Sequence, residues 1–175
     1  MTAVEAYELT TKGGATDFAR LIDACVSFGP YCLIGGLAVN CYVEPVYTLD
    51  ADLVVIASKL AKLAAYLQSQ AFKLEEHAHS LNAMTSQSDL RIQFTTDERY
   101  QAFLPRSVES EVLGVAVRIA CLEDVTRGKL WAYSDPRRRL SKRKKDELDL
   151  IRLAEAHPEL KSLYPIELKE QLDRG

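Results

Sequence analysis

Residues 31–56 read YCLIGGLAVNCYVEPVYTLDADLVVI and contain two strand-like segments joined by a spacer. The first segment, YCLI, is short and apolar and ends in Gly35 and Gly36. Thirteen residues separate Gly36 from Asp50, where the β-branched segment DADLVVI begins. Strand side chains alternate between faces, so Asp50 and Asp52 are expected on one face, about 6.5–7 Å apart along the strand.

The two acids predict a divalent metal site. Two carboxylates on one face repel each other, and their burial is costly unless a cation compensates them. The apolar LVVI that follows Asp52 indicates a buried strand, so these acids need such a partner. Oxygen ligands of this kind favour Mg²⁺ or Mn²⁺, which retain open positions for phosphate oxygens.

The glycine pair predicts the complementary anion site. Without side chains, Gly35 and Gly36 let the backbone approach a ligand closely, and backbone N–H groups at the start of a helix bind anions. A phosphate cradle beside a pair of metal-binding acids indicates phosphoryl or nucleotidyl transfer.

The composition limits the class of protein. The chain has 175 residues and a net charge of −3, and none of its apolar runs reaches the roughly 18 residues of a membrane span. The first residues, MTAVEAYELTTKGG, lack the features of a signal peptide. We therefore expect a cytoplasmic protein without membrane contact. One domain, 1–175, is expected, with a core at about 16–120 and a helical C-terminal portion at about 121–175.

The hydrophobic pattern predicts a sheet flanked by helices. Helical spacing covers 16–28, with Thr16 or Asp17 as cap, and 58–70, capped by Ser58. Strands are expected in FKLEEHA, in SDLRIQF and around Gly114, and helices in LEDVTRGKLWAYS, KRKKDELDLIRLAEAH and PIELKEQL. In the second of these helices the expected buried stripe comprises Leu148, Ile151, Arg152 and Leu153. This order is typical of an α/β or α+β sheet with a helical C-terminal portion.

A basic strip occupies residues 137–145, RRRLSKRKK. It holds seven cations and no acid, and removing them from the total of −3 leaves −10 for the rest of the chain. One interpretation is a polyanion-binding surface; the alternative is the solvated start of the following helix. The cations are Arg137, Arg138, Arg139, Lys142, Arg143, Lys144 and Lys145.

The motif GG-x(13)-DAD-L resembles that of the polymerase-β-like nucleotidyltransferase superfamily. The spelling GGLAVN and the position of Thr48, two residues before Asp50, are similar to the AbiEii-type branch, the toxins of type IV toxin–antitoxin systems. CLEDVTRGKLWAYSDPRRR and KRKKDELDLIRL resemble the second half of that branch, so the likeness covers roughly residues 31–153. It implies an α+β minimal nucleotidyltransferase fold with a mixed, mostly antiparallel sheet, flanking helices and a C-terminal helical portion.

The resemblance also implies roles for individual residues. A nucleoside triphosphate (NTP) and Mg²⁺ (or Mn²⁺) would be bound, and tRNA or another RNA would accept the nucleotide. A cognate antitoxin would be the protein partner. The implied catalytic residues are Asp50, Asp52, Lys129 and Asp146, with Asp50 and Asp52 as metal ligands. The implied nucleotide-binding residues are Gly35, Gly36, Thr48 and Lys129.

Two departures from the family pattern bear on activity. Val46 stands where members often carry an arginine. In SDLRIQF, the position of the third carboxylate falls on Gln93, and Asp89 lies on the same strand face as an alternative metal ligand. A site with two acids would hold one metal weakly, which implies slow chemistry or a catalytically silent binding module.

Other readings of the sequence remain open. The same fold could act on the hydroxyl of a small molecule or a protein. His77 and His79 are expected at a strand end in solvent rather than in a metal site, since no further ligand accompanies them. Trp131 and Tyr133 are expected to pack at helical spacing, with base stacking as the alternative.

Overall fold

A computed structural model describes residues 1–175. The strands are β1 (Tyr31–Ile34), β2 (Asp50–Val55), β3 (Lys73–His77), β4 (Ser80–Met84), β5 (Arg91–Thr95), β6 (Val108–Val112) and β7 (Val115–Ile119). The α-helices are α1 (Ala3–Thr10), α2 (Gly14–Phe28), α3 (Gly35–Val39), α4 (Ala57–Ser69), α5 (Leu122–Ser134), α6 (Leu140–Ala156) and α7 (Ile166–Arg174). Two 3₁₀-helices span Glu98–Arg106 and Pro158–Leu163.

All seven strands belong to one sheet in the order β3-β4-β5-β2-β1-β7-β6. Four neighbouring pairs are antiparallel, and two, β1 with β7 and β2 with β5, are parallel. The predicted α+β fold with a mixed, mostly antiparallel sheet is therefore confirmed.

The alternation of side chains along β2 separates the core from the site. Ala51 and Leu53 point into the core and are buried, as are Ile92 and Phe94 of the adjacent β5. Leu63 of α4 belongs to the same cluster of 36 buried hydrophobic residues. Asp50 and Asp52 lie on the opposite, polar face of the sheet, where α3, α5 and α6 pack against one another.

Most of the predicted elements form, with differences at their ends. Helix α2 begins at Gly14 rather than at a Thr16 or Asp17 cap, and Asp17 is instead buried. Ser58 lies inside α4, whose N-terminal residue is Ala57. The strand predicted in SDLRIQF begins at Arg91. The predicted elements do not include α1, β4 or the 3₁₀-helix Glu98–Arg106.

The stripe predicted for α6 is correct at Leu153, which is buried, and wrong at Leu148, whereas Ile151 and Arg152 are half-buried. Leu148 is 51% exposed. The buried face of the helix consists of Asp146, Glu147, Asp149, Leu150, Leu153 and Ala154. The acids on this face are compensated by cations from α5 and from α6 itself, which the hydrophobic pattern alone does not reveal. None of the helices combines the length and apolar character that a membrane crossing requires.

Candidate functional site

The glycine turn lies directly against the acid pair. Helix α3 starts at Gly35 immediately after β1, with Gly35 at φ +70°, a left-handed conformation that glycine adopts without strain. A Cβ atom at Gly35 would stand 2.1 Å from Oδ2 of Asp52, so a side chain does not fit. At Gly36 a Cβ atom would meet the Thr48 side chain at 3.5 Å, an ordinary contact. The backbone of Gly35 therefore lies directly against the Asp52 carboxylate, with no room for a side chain between them.

Asp52 is an electrostatically unusual residue. Burial, aided by repulsion from Asp50, raises its pKa from 3.8 to about 6, although Lys129 acts in the opposite direction. No side chain or backbone amide of the protein donates a hydrogen bond to the Asp52 carboxylate. The site thus contains a carboxylate whose negative charge is incompletely compensated by the protein.

Asp50 has cationic neighbours. Its Oδ2 lies 3.0 Å from Nζ of Lys142, and its Oδ1 lies 3.9 Å from a guanidinium nitrogen of Arg91. Burial raises the pKa of Asp50, but the hydrogen bond and charge of Lys142 outweigh it, so the pKa lies below its usual value. Lys145 reaches the same region, with Nζ 3.3 Å from Oγ1 of Thr48. Two lysines of α6 therefore contact polar side chains at the end of the segment that runs from Gly36 to Asp50.

The donor set fits a divalent cation with two acidic ligands. Asp50 and Asp52 share one face, and Gln93 is the register partner of Asp52 on β5. Its amide oxygen is a neutral ligand of the type that Mg²⁺ accepts. No group of three His, Cys, Asp or Glu residues that could hold a metal is present. The incompletely compensated charge on Asp52 is what a bound cation would neutralise.

Gln93 and Asp89, the two residues considered for the position of the third carboxylate, lie in different places. Gln93 stands beside Asp52, in the position expected of a third carboxylate. Asp89 precedes β5, is exposed and forms a salt bridge with Lys12 at 3.2 Å. The structure therefore does not bring Asp89 to the acid pair, and Gln93 is the side chain that occupies the position.

Lys129 lies at the centre of a buried ion cluster. Its Nζ is 3.0 Å from Oδ1 of Asp146 and 2.7 Å from Oδ2 of Asp149. Asp146 also accepts from Nε of Arg138 at 2.6 Å, and Asp149 pairs with Arg152 at 2.8 Å. Burial lowers the pKa of Lys129, but the two carboxylates outweigh it, and the pKa is raised. The cluster ties α5 to α6 and holds Lys129 and Arg138 in fixed positions.

An inner cavity of about 110 Å³ lies between the glycine turn, the sheet and α5. Its lining includes Gly35, Asp52, Gln93, Lys129 and Asp146. Most of the residues predicted to be catalytic from the sequence therefore border one cavity. Thr48 and Asp50 lie beside it, on the side of the α6 lysines.

An outer pocket of about 600 Å³ adjoins the inner cavity. The two share Gln93, Thr95, Tyr100, Ala132 and Arg138. The remaining lining residues of the outer pocket are His79, Asp97, Arg99, Trp131, Ser134, Asp135 and Arg137.

Most of the basic strip is engaged within the molecule. Salt bridges link Arg137 to Asp135, Arg138 to Asp146, Lys142 to Asp50 and Lys144 to Glu147, while Lys145 bonds to Thr48. Arg139 and Arg143 take part in no salt bridge. The strip therefore supplies cations to the site and to α6, as well as to the surface.

Trp131 is enclosed by neighbours. The Arg99 guanidinium lies over its ring at 4.5 Å, Phe103 stacks at 5.6 Å with planes 18° apart, and Tyr100 meets it edge-on at 5.1 Å. Packing thus accounts for Trp131, as expected. His77 ends β3 and His79 lies in the turn after it, both exposed.

Several contacts of the site were not predicted from the sequence: those of Lys142 with Asp50, of Lys145 with Thr48 and of Asp149 with Lys129. The spacing of two lysines three residues apart and two acids three residues apart within KRKKDELD was the available signal, since such residues share one helix face.

Solved structures resemble this chain over most of its length. The antibiotic-resistance factor ANT(2'')-Ia is 17% identical with a TM-score of 0.53, and the alignment covers 90% of each chain. An antigenic nucleotidyltransferase-like protein from Paracoccidioides brasiliensis is 19% identical, with coverage of 91% and 92% and a TM-score of 0.55. The chain has the nucleotidyltransferase fold. JHP933 from Helicobacter pylori is 20% identical with a TM-score of 0.51, covering 88% of this chain and 70% of that one.

The match to the nucleotidyltransferase fold rests on structure. No protein-family model and no curated protein matches the chain.

Proposed function

We propose that this protein is a nucleotidyltransferase that moves a nucleoside monophosphate from an NTP to an acceptor hydroxyl. The observation that carries the proposal is the contact of the Gly35 backbone with Asp52, with Asp50 on the same face of β2. In this reaction the acceptor oxygen forms a bond to the α-phosphorus. The bond from that phosphorus to the β-bridging oxygen breaks, pyrophosphate leaves with the electron pair, and the acceptor proton passes to solvent.

The chain's own residues account for the binding of the triphosphate. The Gly35–Gly36 backbone lets phosphate oxygens lie close to the sheet, and Lys142 and Lys145 reach the same region from α6. Lysine binds phosphate as a point charge, and both lysines could exchange their present oxygen partners for phosphate oxygens.

Asp50 and Asp52 would hold Mg²⁺ (or Mn²⁺), with Gln93 beside them. When bound, such an ion neutralises the charge that develops on the transferred phosphoryl group and its leaving oxygen. Asp146 acts by fixing Lys129 and Arg138 at the edge of the inner cavity, since both of its oxygens are engaged by these cations.

Transfer from NTP labelled at the α-phosphate tests the proposal. We expect an α-label to move to an acceptor in the presence of Mg²⁺ and to stay on the NTP when EDTA is added. A γ-label should instead appear in the released pyrophosphate and never on the acceptor. Asp50→Asn should abolish transfer. Glu76→Gln, which removes an exposed carboxylate from β3, should leave it unchanged.

An RNA acceptor and a toxin-like role form a finer version of this proposal. Their support is the AbiEii-like motif together with Arg139 and Arg143, which form no salt bridge. A cognate antitoxin would then bind the protein. Transfer to tRNA that falls steeply with salt supports this version, because phosphate contacts release counterions.

A catalytically silent nucleotide-binding module is the second candidate, and Gln93 in place of a third carboxylate favours it. Binding of Mg²⁺–NTP without label transfer to any class of acceptor would establish this role. A low but Asp50-dependent transfer rate would exclude it.

A further inference from the structure

The direction from which the acceptor approaches follows from the fold. In phosphoryl transfer the attacking and leaving oxygens lie roughly in line on opposite sides of the phosphorus. The glycine turn flanks Asp52 on the β1 side, where Ile34 is its register partner, whereas Gln93 of β5 flanks it on the other side. With the triphosphate at the glycine turn, pyrophosphate leaves toward β1 and the acceptor enters from β5.

The outer pocket is the space on the β5 side. It includes Gln93 and Thr95 of β5 and opens from the inner cavity that contains Asp52. Its volume of about 600 Å³ lies within the range of pockets that bind small molecules, roughly 300–1,000 Å³.

The three arginines that line the outer pocket form salt bridges, two with aspartates of the pocket wall and one with Asp146 beneath it. Arg99 lies 2.6 Å from Oδ2 of Asp97, and Arg137 lies 3.4 Å from Oδ1 of Asp135. Arg138 lies 2.6 Å from Oδ2 of Asp146 beneath it. An anionic or cationic acceptor would have to compete with these pairs for their charged groups, whereas a neutral acceptor leaves all three intact.

Several uncharged polar side chains of the pocket are free to form hydrogen bonds with the hydroxyl groups of a ligand. The side chains of Gln93 and Ser134 form no hydrogen bond within the protein, and Tyr100 has only a 3.5 Å contact with the Gly128 carbonyl. An amide and hydroxyl groups both donate to and accept from an alcohol. Apart from the exposed His79 imidazole, which forms no salt bridge, the wall therefore offers hydrogen bonds to a hydroxyl-rich molecule and no unpaired charged side chain.

The open face of the sheet extends this surface. Asn82 of β4 is the register partner of Gln93, and Glu75 of β3 is the register partner of Asn82. The row Asp52, Gln93, Asn82 and Glu75 thus crosses four neighbouring strands on one face. A second sugar unit or aglycone could contact Asn82 while the reacting hydroxyl lies beside Gln93.

Resting on the proposed function, we infer that the acceptor is an electrically neutral, hydroxyl-rich small molecule: a sugar, glycoside or polyol. It binds in the outer pocket with its reacting hydroxyl beside Gln93.

The test uses the full chain with Mg²⁺ and each α-labelled NTP against four acceptor classes: neutral mono- and disaccharides with their methyl glycosides, sugar phosphates, aminoglycosides, and total tRNA. We expect label on a neutral saccharide, with a rate that changes less than about threefold between 50 and 300 mM NaCl because no phosphate contact is lost. Preferred labelling of tRNA, a sugar phosphate, an aminoglycoside or the protein itself overturns the inference and leaves the proposed function standing. Labelling of none of these contradicts both.

Two variants test the location of the acceptor. Ser134→Trp fills the outer pocket from the exposed last residue of α5, and we expect it to raise the acceptor KM at least tenfold with the NTP KM unchanged. Ser69→Trp is the matched control, since Ser69 is the exposed last residue of α4, a helix of the same 13-residue length. At a Mg²⁺ concentration that saturates each protein, Gln93→Ala should likewise raise the acceptor KM more than the NTP KM. Unchanged acceptor KM in both pocket variants overturns the assignment of the pocket.

Discussion

Gly35 lies so close to Asp52 that a methyl group on its α-carbon would stand 2.1 Å from the carboxylate oxygen Oδ2. The chain at this point also adopts a left-handed conformation, with φ +70°. Two independent constraints, backbone conformation and space, therefore require glycine where β1 turns into α3.

Gly35→Ala should abolish most of the activity by displacing Asp52. A shift of about 1 Å at a catalytic group lowers the rate by roughly 100-fold, and we expect at least that loss. Gly114→Ala is the matched control: its φ is +78°, but an added Cβ meets only Val4, at 3.7 Å. Both variants carry a strain of about 1–2 kcal/mol, measured by urea unfolding, and only Gly35→Ala should lose transfer activity. Equal activity losses would show that strain, not the contact with Asp52, is responsible.

Asp52→Asn should stabilise the metal-free protein while it abolishes transfer. Burial raises the pKa of Asp52 to about 6, so the charged form destabilises the folded state at neutral pH. We expect a gain of about 1–3 kcal/mol in the free energy of unfolding at pH 7.5 in EDTA. A variant less stable than the wild type in EDTA would contradict this view of the site.

The raised pKa of Asp52 also predicts that the stability of the folded protein depends on pH. The folded pKa lies above the unfolded value of 3.8, so the folded protein binds the proton first as the pH falls. The wild type should therefore gain stability relative to Asp52→Asn between about pH 6 and pH 4. Melting temperatures of both proteins across this window measure the effect, and a constant difference between them would contradict it.

Removal of the Lys129 ammonium should destabilise the fold strongly. Lys129→Met leaves the buried Asp146 and Asp149 with less compensation, which costs about 3–5 kcal/mol. Lys73→Met removes an exposed salt bridge to Glu75 and should cost less than about 1 kcal/mol. Chemical unfolding of both variants provides the comparison. A cost for Lys129→Met as small as the control would mean that the cluster does not hold α5 to α6.

Gln93→Asp should restore a third carboxylate beside Asp52. We expect roughly tenfold tighter binding of Mn²⁺, because an added charged oxygen ligand strengthens the site. Gln68→Asp on the exposed side of α4 introduces the same charge elsewhere and should leave the affinity unchanged. Titration calorimetry of each protein measures both values, and no change at Gln93 would place this residue outside the metal site.

The parts of the fold that were predictable are those that local patterns determine. The glycine turn after YCLI and the DAD strand were recognisable because their residue types are restricted by backbone conformation and by charge. The alternation along β2 correctly placed Asp50 and Asp52 on one face. Strand β4 was missed because its five residues, SLNAM, include no β-branched or aromatic side chain, the residue types that favour strands.

The partners of the charged residues were not predictable from local patterns. Asp146 and Asp149 are buried on α6 because Lys129, which lies 17 and 20 positions earlier in the sequence, meets them after folding. A prediction of the buried face of α6 from hydrophobic spacing therefore included Leu148, which is exposed. Likewise Lys142 approaches Asp50 only because α6 returns to the sheet. Such long-range pairs require the tertiary structure.

The binding of Mn²⁺, followed by electron paramagnetic resonance with and without an NTP, tests the central claim most directly. If Asp50 and Asp52 are the metal ligands, Mn²⁺ should bind saturably and more tightly when the NTP is added. Binding should be at least tenfold weaker in Asp50→Asn. Binding of equal strength in the wild type and in the Asp50→Asn/Asp52→Asn double variant would contradict the assignment of these two aspartates as the metal ligands.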